Sequence, residues 1–134
     1  MSFKNKIYYK IAYKNIQNEK FDKAIKYFKK SFNYYFDNLS FLYNFAYAYY
    51  QNENYEECIE ILNCLLELSN SCEDAYNLKA SCLVYLGLYD QALLCINKYL
   101  ENHNGSSSML DHKKQIEMLN NIDSKGKITL NIVK

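Results

Sequence analysis

The sequence holds no proline, no tryptophan and no arginine, and only three glycines in 134 residues. Each absence removes a class of answers. Folds rich in strands and loops punctuate their turns with Pro and Gly, so this scarcity favours helices. Bidentate phosphate and base recognition is guanidinium chemistry. Sixteen basic residues that are all Lys therefore argue against specific nucleic-acid recognition. No run reaches about 18 apolar residues, so no membrane span is expected. The opening MSFKNKIYYK lacks the apolar core of a secretion signal, and the expected location is cytoplasmic.

Catalytic and metal-binding constellations are missing as well. The glycines lie at 87, 105 and 126, which excludes a Gly-rich phosphate loop. The two histidines, His103 and His112, match no zinc spacing with Cys95 or Asp111 and are expected at the surface. Scattered Ser and Cys have no paired base. An enzyme is not expected, nor a metal, nor any cofactor. The five cysteines, Cys58, Cys64, Cys72, Cys82 and Cys95, are odd in number and form no CxxC. They read as small buried hydrophobes rather than a disulfide framework.

What is present is apolar, tyrosine-rich and unevenly charged. Hydrophobic residues make up 49% of the chain, enough for the core of one domain. Net charge is +1, but residues 1–30 carry nine Lys against Glu19 and Asp22, a net +7. Residues 31–101 carry ten acids against Lys79 and Lys98, a net −8. A Lys run of this kind usually forms a solvated face. The alternative is contact with the acidic region of a second copy, by closed dimer or head-to-tail assembly.

The organising signal is a repeat. Residues 75–93 read AYNLKASCLVYLGLYDQAL, residues 41–59 read FLYNFAYAYYQNENYEECI, and residues 7–25 read IYYKIAYKNIQNEKFDKAI. Each step is a shift of 34 residues without a gap. Ala12, Ala46 and Ala80 form one small column, and Ala24, Cys58 and Ala92 another. Phe28, Leu62 and Ile96 form a large apolar column, and Phe21, Tyr55 and Tyr89 an aromatic one. Within each copy apolar residues recur at helical spacing, break near Asn18-Glu19-Lys20, Asn52-Glu53-Asn54 or Leu86-Gly87-Leu88, then resume. Asn and Gly tolerate left-handed backbone and suit those corners. Each copy is thus two helices that cross closely at the small columns. One such pair cannot bury its apolar face, so copies must stack.

A 34-residue helix pair with these columns resembles the tetratricopeptide repeat (TPR) family. Its Ala-x-x-x-Phe element stands here as Ala24 to Phe28, Cys58 to Leu62 and Ala92 to Ile96. Tyr8, Leu42 and Tyr76 replace the family's Trp, Ala replaces its first-helix Gly, and Phe36, Asn70 and Asn104 replace its closing Pro. The resemblance implies an all-α fold, a right-handed α-α superhelix of three hairpins at about 5–38, 39–72 and 73–106. Thus 1–105 would hold the repeats and 106–123 a joint and capping helix, in which Ser106-Ser107-Ser108 can cap residues 109–122. Residues 124–134 would be a tail, either flexible or a short strand, since Ile128, Leu130 and Ile132 alternate with Thr129, Asn131 and Val133.

The resemblance also implies a concave groove lined by the first helix of each pair. By phase this gives Tyr9, Tyr13 and Ile16, then Tyr43, Asn44, Tyr47 and Tyr50, then Asn77, Leu78, Ser81 and Val84. Lys6 and Lys10 flank one end and Asp74 the other. Tyr supplies rigid contact area with a polar tip, and Asn can bond a peptide backbone in both senses. With fifteen Tyr in the chain, part of that lining reflects composition. The implied function is an adaptor or chaperone that holds a peptide segment of a protein partner. One subfamily clamps acidic chaperone C-termini with Lys, Asn and Arg. Of that set only Asn44 stands, with Tyr9, Tyr13, Asp74 and Leu78 elsewhere, which argues against that ligand. The alternatives are a self-assembling structural subunit, hence a homo-oligomer, and a small secretion-type TPR chaperone.

Overall fold

The computed structural model describes residues 2–133, with side chains over residues 3–126. Seven helices follow one another: α1 (Ser2–Gln17), α2 (Phe21–Tyr35), α3 (Leu39–Gln51), α4 (Tyr55–Leu68), α5 (Glu73–Tyr85), α6 (Tyr89–Leu100) and α7 (Ser107–Val133). No strand occurs among the described residues. The chain divides into two compact units, Met1–Ala75 and Tyr76–Lys134, with the boundary inside α5.

The corners within the hairpins are the same device built three times. Lys20 N–H donates to Asn15 C=O at 2.8 Å, Asn54 to Tyr49 at 2.8 Å and Leu88 to Leu83 at 2.8 Å. One residue earlier, Glu19 donates to Ile16, Glu53 to Tyr50 and Gly87 to Val84. This nested pair of bonds is the Schellman closure of a helix, which satisfies the last carbonyls with one left-handed residue. That residue is Glu19 (φ 58°), Glu53 (φ 62°) and Gly87 (φ 76°). The corners fall where the spacing predicts. However, two of the left-handed residues are glutamates rather than the neighbouring asparagines. The hydrogen-bond pattern fixes which position turns, whatever residue occupies it. After each corner the next helix starts at once, as Ala24, Cys58 and Ala92 N–H donate to Lys20, Asn54 and Leu88 C=O.

In the first unit the small and bulky columns are the core. Ala12, Ala24, Phe28, Phe41, Leu42, Ala46, Cys58 and Leu62 are fully buried. The alanines of α1 and α2 let those helices approach, and Phe28 fills the space beyond. Its ring stacks on Phe45 (5.2 Å, 16°) and meets Phe41 edge-on (5.2 Å, 83°). Tyr35 stacks on Phe41 at 5.0 Å and Phe45 on Tyr49 at 4.8 Å. Aromatic pairs at such spacings add about 0.5–1.5 kcal/mol each beyond burial. Asn38 starts α3, its side-chain oxygen accepting from Phe41 N–H at 2.9 Å.

In the second unit Ala80, Ala92 and Ile96 are fully buried. Tyr76 and Tyr99 lie 5.3 Å apart, and the Cys95 thiol donates to Tyr76 C=O at 3.5 Å. Burial pushes that thiol up to about 11. Ser106 caps α7 by accepting from Met109 N–H at 3.1 Å, and Met109 and Ile116 are buried on one α7 face. The helix expected over 109–122 is longer. It takes in residues 124–133, for which a flexible tail or short strand was expected. Nothing after Ile122 breaks a helix: no proline follows, and the lone Gly126 costs only about 1 kcal/mol relative to Ala. The apolar alternation at 128–133 concerns side chains outside the described ones.

The cysteines and histidines depart from expectation in part. Cys58, Cys82 and Cys95 are buried, but Cys72 is half-buried and Cys64 is exposed, and all five are free. Both histidines are half-buried rather than on the surface. His103 stacks on Tyr99 at 4.5 Å, and His112 lies 3.1 Å from the Asn77 side-chain oxygen. Among the described residues no group of three His, Cys, Asp or Glu could hold a metal ion, and no helix is long and apolar enough to cross a membrane.

Candidate peptide-binding faces

Helical period puts Lys6, Lys10 and Lys14 on one stripe of α1, and Tyr9 and Tyr13 on the stripe beside it. In the first unit Tyr9, Lys10, Tyr13, Lys14 and Gln17 line a shallow depression of about 470 Å³. Three residues expected from the sequence therefore come together there, and two more join them. Lys14 and Gln17 were legible in principle, because Lys14 continues the Lys6 and Lys10 stripe and Gln17 follows Tyr13 by four. Lys6 is exposed one turn outside the depression. The two tyrosines differ in kind. Tyr13 is exposed. Tyr9 is half-buried, its ring 5.0 Å from Tyr35, 5.1 Å from Phe41 and 6.1 Å from Phe28. Tyr9 forms a wall, while Tyr13 offers its face to solvent. The α1 helix carries four Lys and no acid.

The α3 residues are more deeply set than the phase reading implies. Tyr43, Asn44, Tyr47 and Tyr50 are all half-buried. Burial pushes the Tyr43 phenol up to about 12, and the Asp74 carboxylate adds to that by disfavouring a second negative charge. Tyr47 meets Phe21 edge-on at 6.1 Å, and Tyr50 meets Tyr55 at 5.8 Å. Each ring spends one side on packing and leaves the other for a ligand. Sequence phase gave their helix face but not how far the neighbouring aromatic rings cover it.

In the second unit Asn77, Ser81 and Val84 are half-buried on α5, whereas Leu78 is buried. The Asn77 side-chain oxygen faces the His112 ring of α7, so its expected role toward a peptide backbone is shared with a contact inside the unit. Burial lowers the His112 pKa, which favours a neutral ring donating from Nδ1 to that oxygen. No periodic signal in the repeats foretells that contact, because His112 lies outside them.

The repeated hairpins and their shared corner geometry set the terms for comparison with known proteins. The family described as anaphase-promoting complex, cyclosome, subunit 3 matches residues 5–99. The chain belongs to that family. The match to the subunit 3 family takes in six helices and ends before α7. Solved TPR domains share the fold. The first TPR of Spaghetti, bound to an HSP90 peptide, aligns with a TM-score of 0.76 at 19% identity, over 89% of this chain and 94% of that one. The Sgt2 TPR domain from Aspergillus fumigatus gives 0.77 at 16% identity, over 92% and 83%. The TPR2B domain of yeast Sti1 in its Hsp70 complex gives 0.73 at 19% identity, over 87% and 98%. No curated protein sequence matches the chain. The fold is therefore an all-α TPR array, and the subunit 3 family supplies its sequence kinship.

Proposed function

We propose that the chain is a protein-interaction module, an adaptor or chaperone that holds a peptide segment of a partner. The observation that carries this reading is the depression on α1, where an exposed Tyr13 and a half-buried Tyr9 lie between Lys10, Lys14 and Gln17. An apolar floor with cationic and amide edges is the chemistry a peptide site needs. Four Lys without an acid on α1 favour a segment that carries acidic side chains. The half-buried Tyr43, Asn44, Tyr47 and Tyr50 extend the same kind of surface along α3. Spaghetti and Sti1 TPR domains hold HSP90 and Hsp70 peptides, which supports peptide capture as a use this fold permits. It does not carry their ligand over, because Tyr9, Tyr13, Asp74 and Leu78 stand where a carboxylate clamp would sit.

The test is affinity capture from the native host, with wild type against Lys10→Ala/Tyr13→Ala. Both side chains are exposed, so helicity by circular dichroism is expected to stay unchanged. A partner retained by wild type and lost by the variant supports the reading. Equal capture by both would remove α1 from the site.

A further inference from the structure

The first unit is split by charge along its two hairpins. Residues 1–35 carry nine Lys and two acids, a net +7, whereas residues 36–72 carry six acids and no base. The structure shows where those charges point. On α2 the buried residues are Ala24, Ile25, Phe28 and Ser31. Lys23, Lys26 and Lys30, spaced three and four apart, occupy the opposite stripe and are exposed. On α4 the buried residues are Cys58, Leu62 and Leu65. Glu56, Glu60 and Glu67 occupy the opposite stripe and are also exposed. Each stripe covers about 11 residues or fewer of its helix, hence roughly 16 Å at about 1.5 Å per residue.

We propose that these two stripes form the interface of a two-fold dimer, with the basic stripe of α2 on one copy against the acidic stripe of α4 on the other. Three observations point to a second copy of this chain. Both stripes turn away from the core of their own unit, so they cannot neutralise each other within one chain. None of the six residues forms an ion pair among the described residues; the lysines are instead set by aromatic rings. Lys26 lies 5.9 Å and Lys30 5.4 Å from the Tyr27 ring, and Lys30 lies 5.3 Å from Tyr8. Those contacts hold the ammonium groups in place before any partner arrives. Finally, an acidic partner would satisfy α2 alone and a basic one α4 alone. The chain itself carries the complement of both, and two-fold symmetry makes each contact twice.

Sedimentation velocity of the full chain tests this. At about 50 mM salt a dimer is expected, with affinity falling about tenfold or more by about 500 mM, because exposed charges are screened within a few ångströms there. Two reversed chains separate this face from others. Lys23→Glu/Lys26→Glu/Lys30→Glu and Glu56→Lys/Glu60→Lys/Glu67→Lys are each expected to be monomeric alone. Mixed, they should form a one-to-one dimer, because each then meets its opposite charge. Recovery on mixing also shows that both fold. Should a reversed chain fail to fold, Lys23→Gln/Lys26→Gln/Lys30→Gln replaces it, with weakened dimerisation expected. A wild type that stays monomeric at about 100 μM in low salt overturns the proposal. So does a dimer indifferent to salt, a reversed or neutral chain that dimerises like wild type, or two folded reversed chains that ignore each other.

Discussion

Single residues at the corners carry a conformational cost that the repeat imposes. Glu19 and Glu53 adopt positive φ, where an L side chain crowds its own backbone by roughly 1–2 kcal/mol. Gly87 occupies the same place without that crowding. Glu53→Gly should therefore raise stability by about 1 kcal/mol in urea unfolding, and Gly87→Ala should lower it by about as much. A Cβ at Gly87 would touch nothing within 4 Å, so the loss would be backbone strain alone. Tyr43 predicts a pH response. Its phenol ionises near pH 12 when folded against an ordinary 10. The folded state therefore holds the proton more tightly, and the resulting stability is present below about pH 10 and is lost as pH rises toward about 12. Tyr43→Phe should remove that part of the alkaline unfolding curve, with tyrosinate absorbance as the readout.

At the scale of the element, α7 shows how one helix is held by few anchors. Ser106 satisfies its first turn, and Met109 and Ile116 bury its inner face. Ser106→Ala should cost about 1 kcal/mol, measured as faster amide exchange in the first turn of α7. The His112 contact adds a pH dependence of opposite sign to that of Tyr43. Burial depresses the folded pKa below an ordinary 6.5, so its stabilising effect is present above that value and fades as pH falls below it. His112→Gln should flatten the acid limb of a thermal-melt series. The helices within the repeats were legible because two patterns coincide at them, the 3.6-residue period and the 34-residue shift. Beyond Gly105 only the first remains, which is why α7 was foreseen over 109–122 while its continuation to Val133 was not. The same limit applies to the site. Phase identified the α1 and α3 faces. It could not weigh Phe21, Tyr35 and Tyr55, whose rings cover parts of those faces from other helices or later turns.

For the whole molecule, stability in a repeat protein is close to a sum over neighbouring elements. The two compact units should accordingly differ in sensitivity to local damage. Phe28→Ala empties the centre of the aromatic cluster and should cost about 3–5 kcal/mol in the first unit. Hydrogen exchange should show the loss of protection concentrated in α1, α2 and α3, whose rings meet there. The fold class was readable at this scale because an ungapped threefold repeat leaves few architectures open. The division inside α5 was not, since no break in composition or period marks it.

The uneven burial of the cysteines turns the molecule into its own stopwatch. Cys64 stands in solvent on α4, six residues from the fully enclosed Cys58 on the same helix. A thiol reagent should modify Cys64 at once and then wait for Cys58, Cys82 and Cys95 until α4, α5 and α6 open in turn. The order in which mass is gained would time those openings without any mutation, while the first hairpin, which has no cysteine, keeps silent.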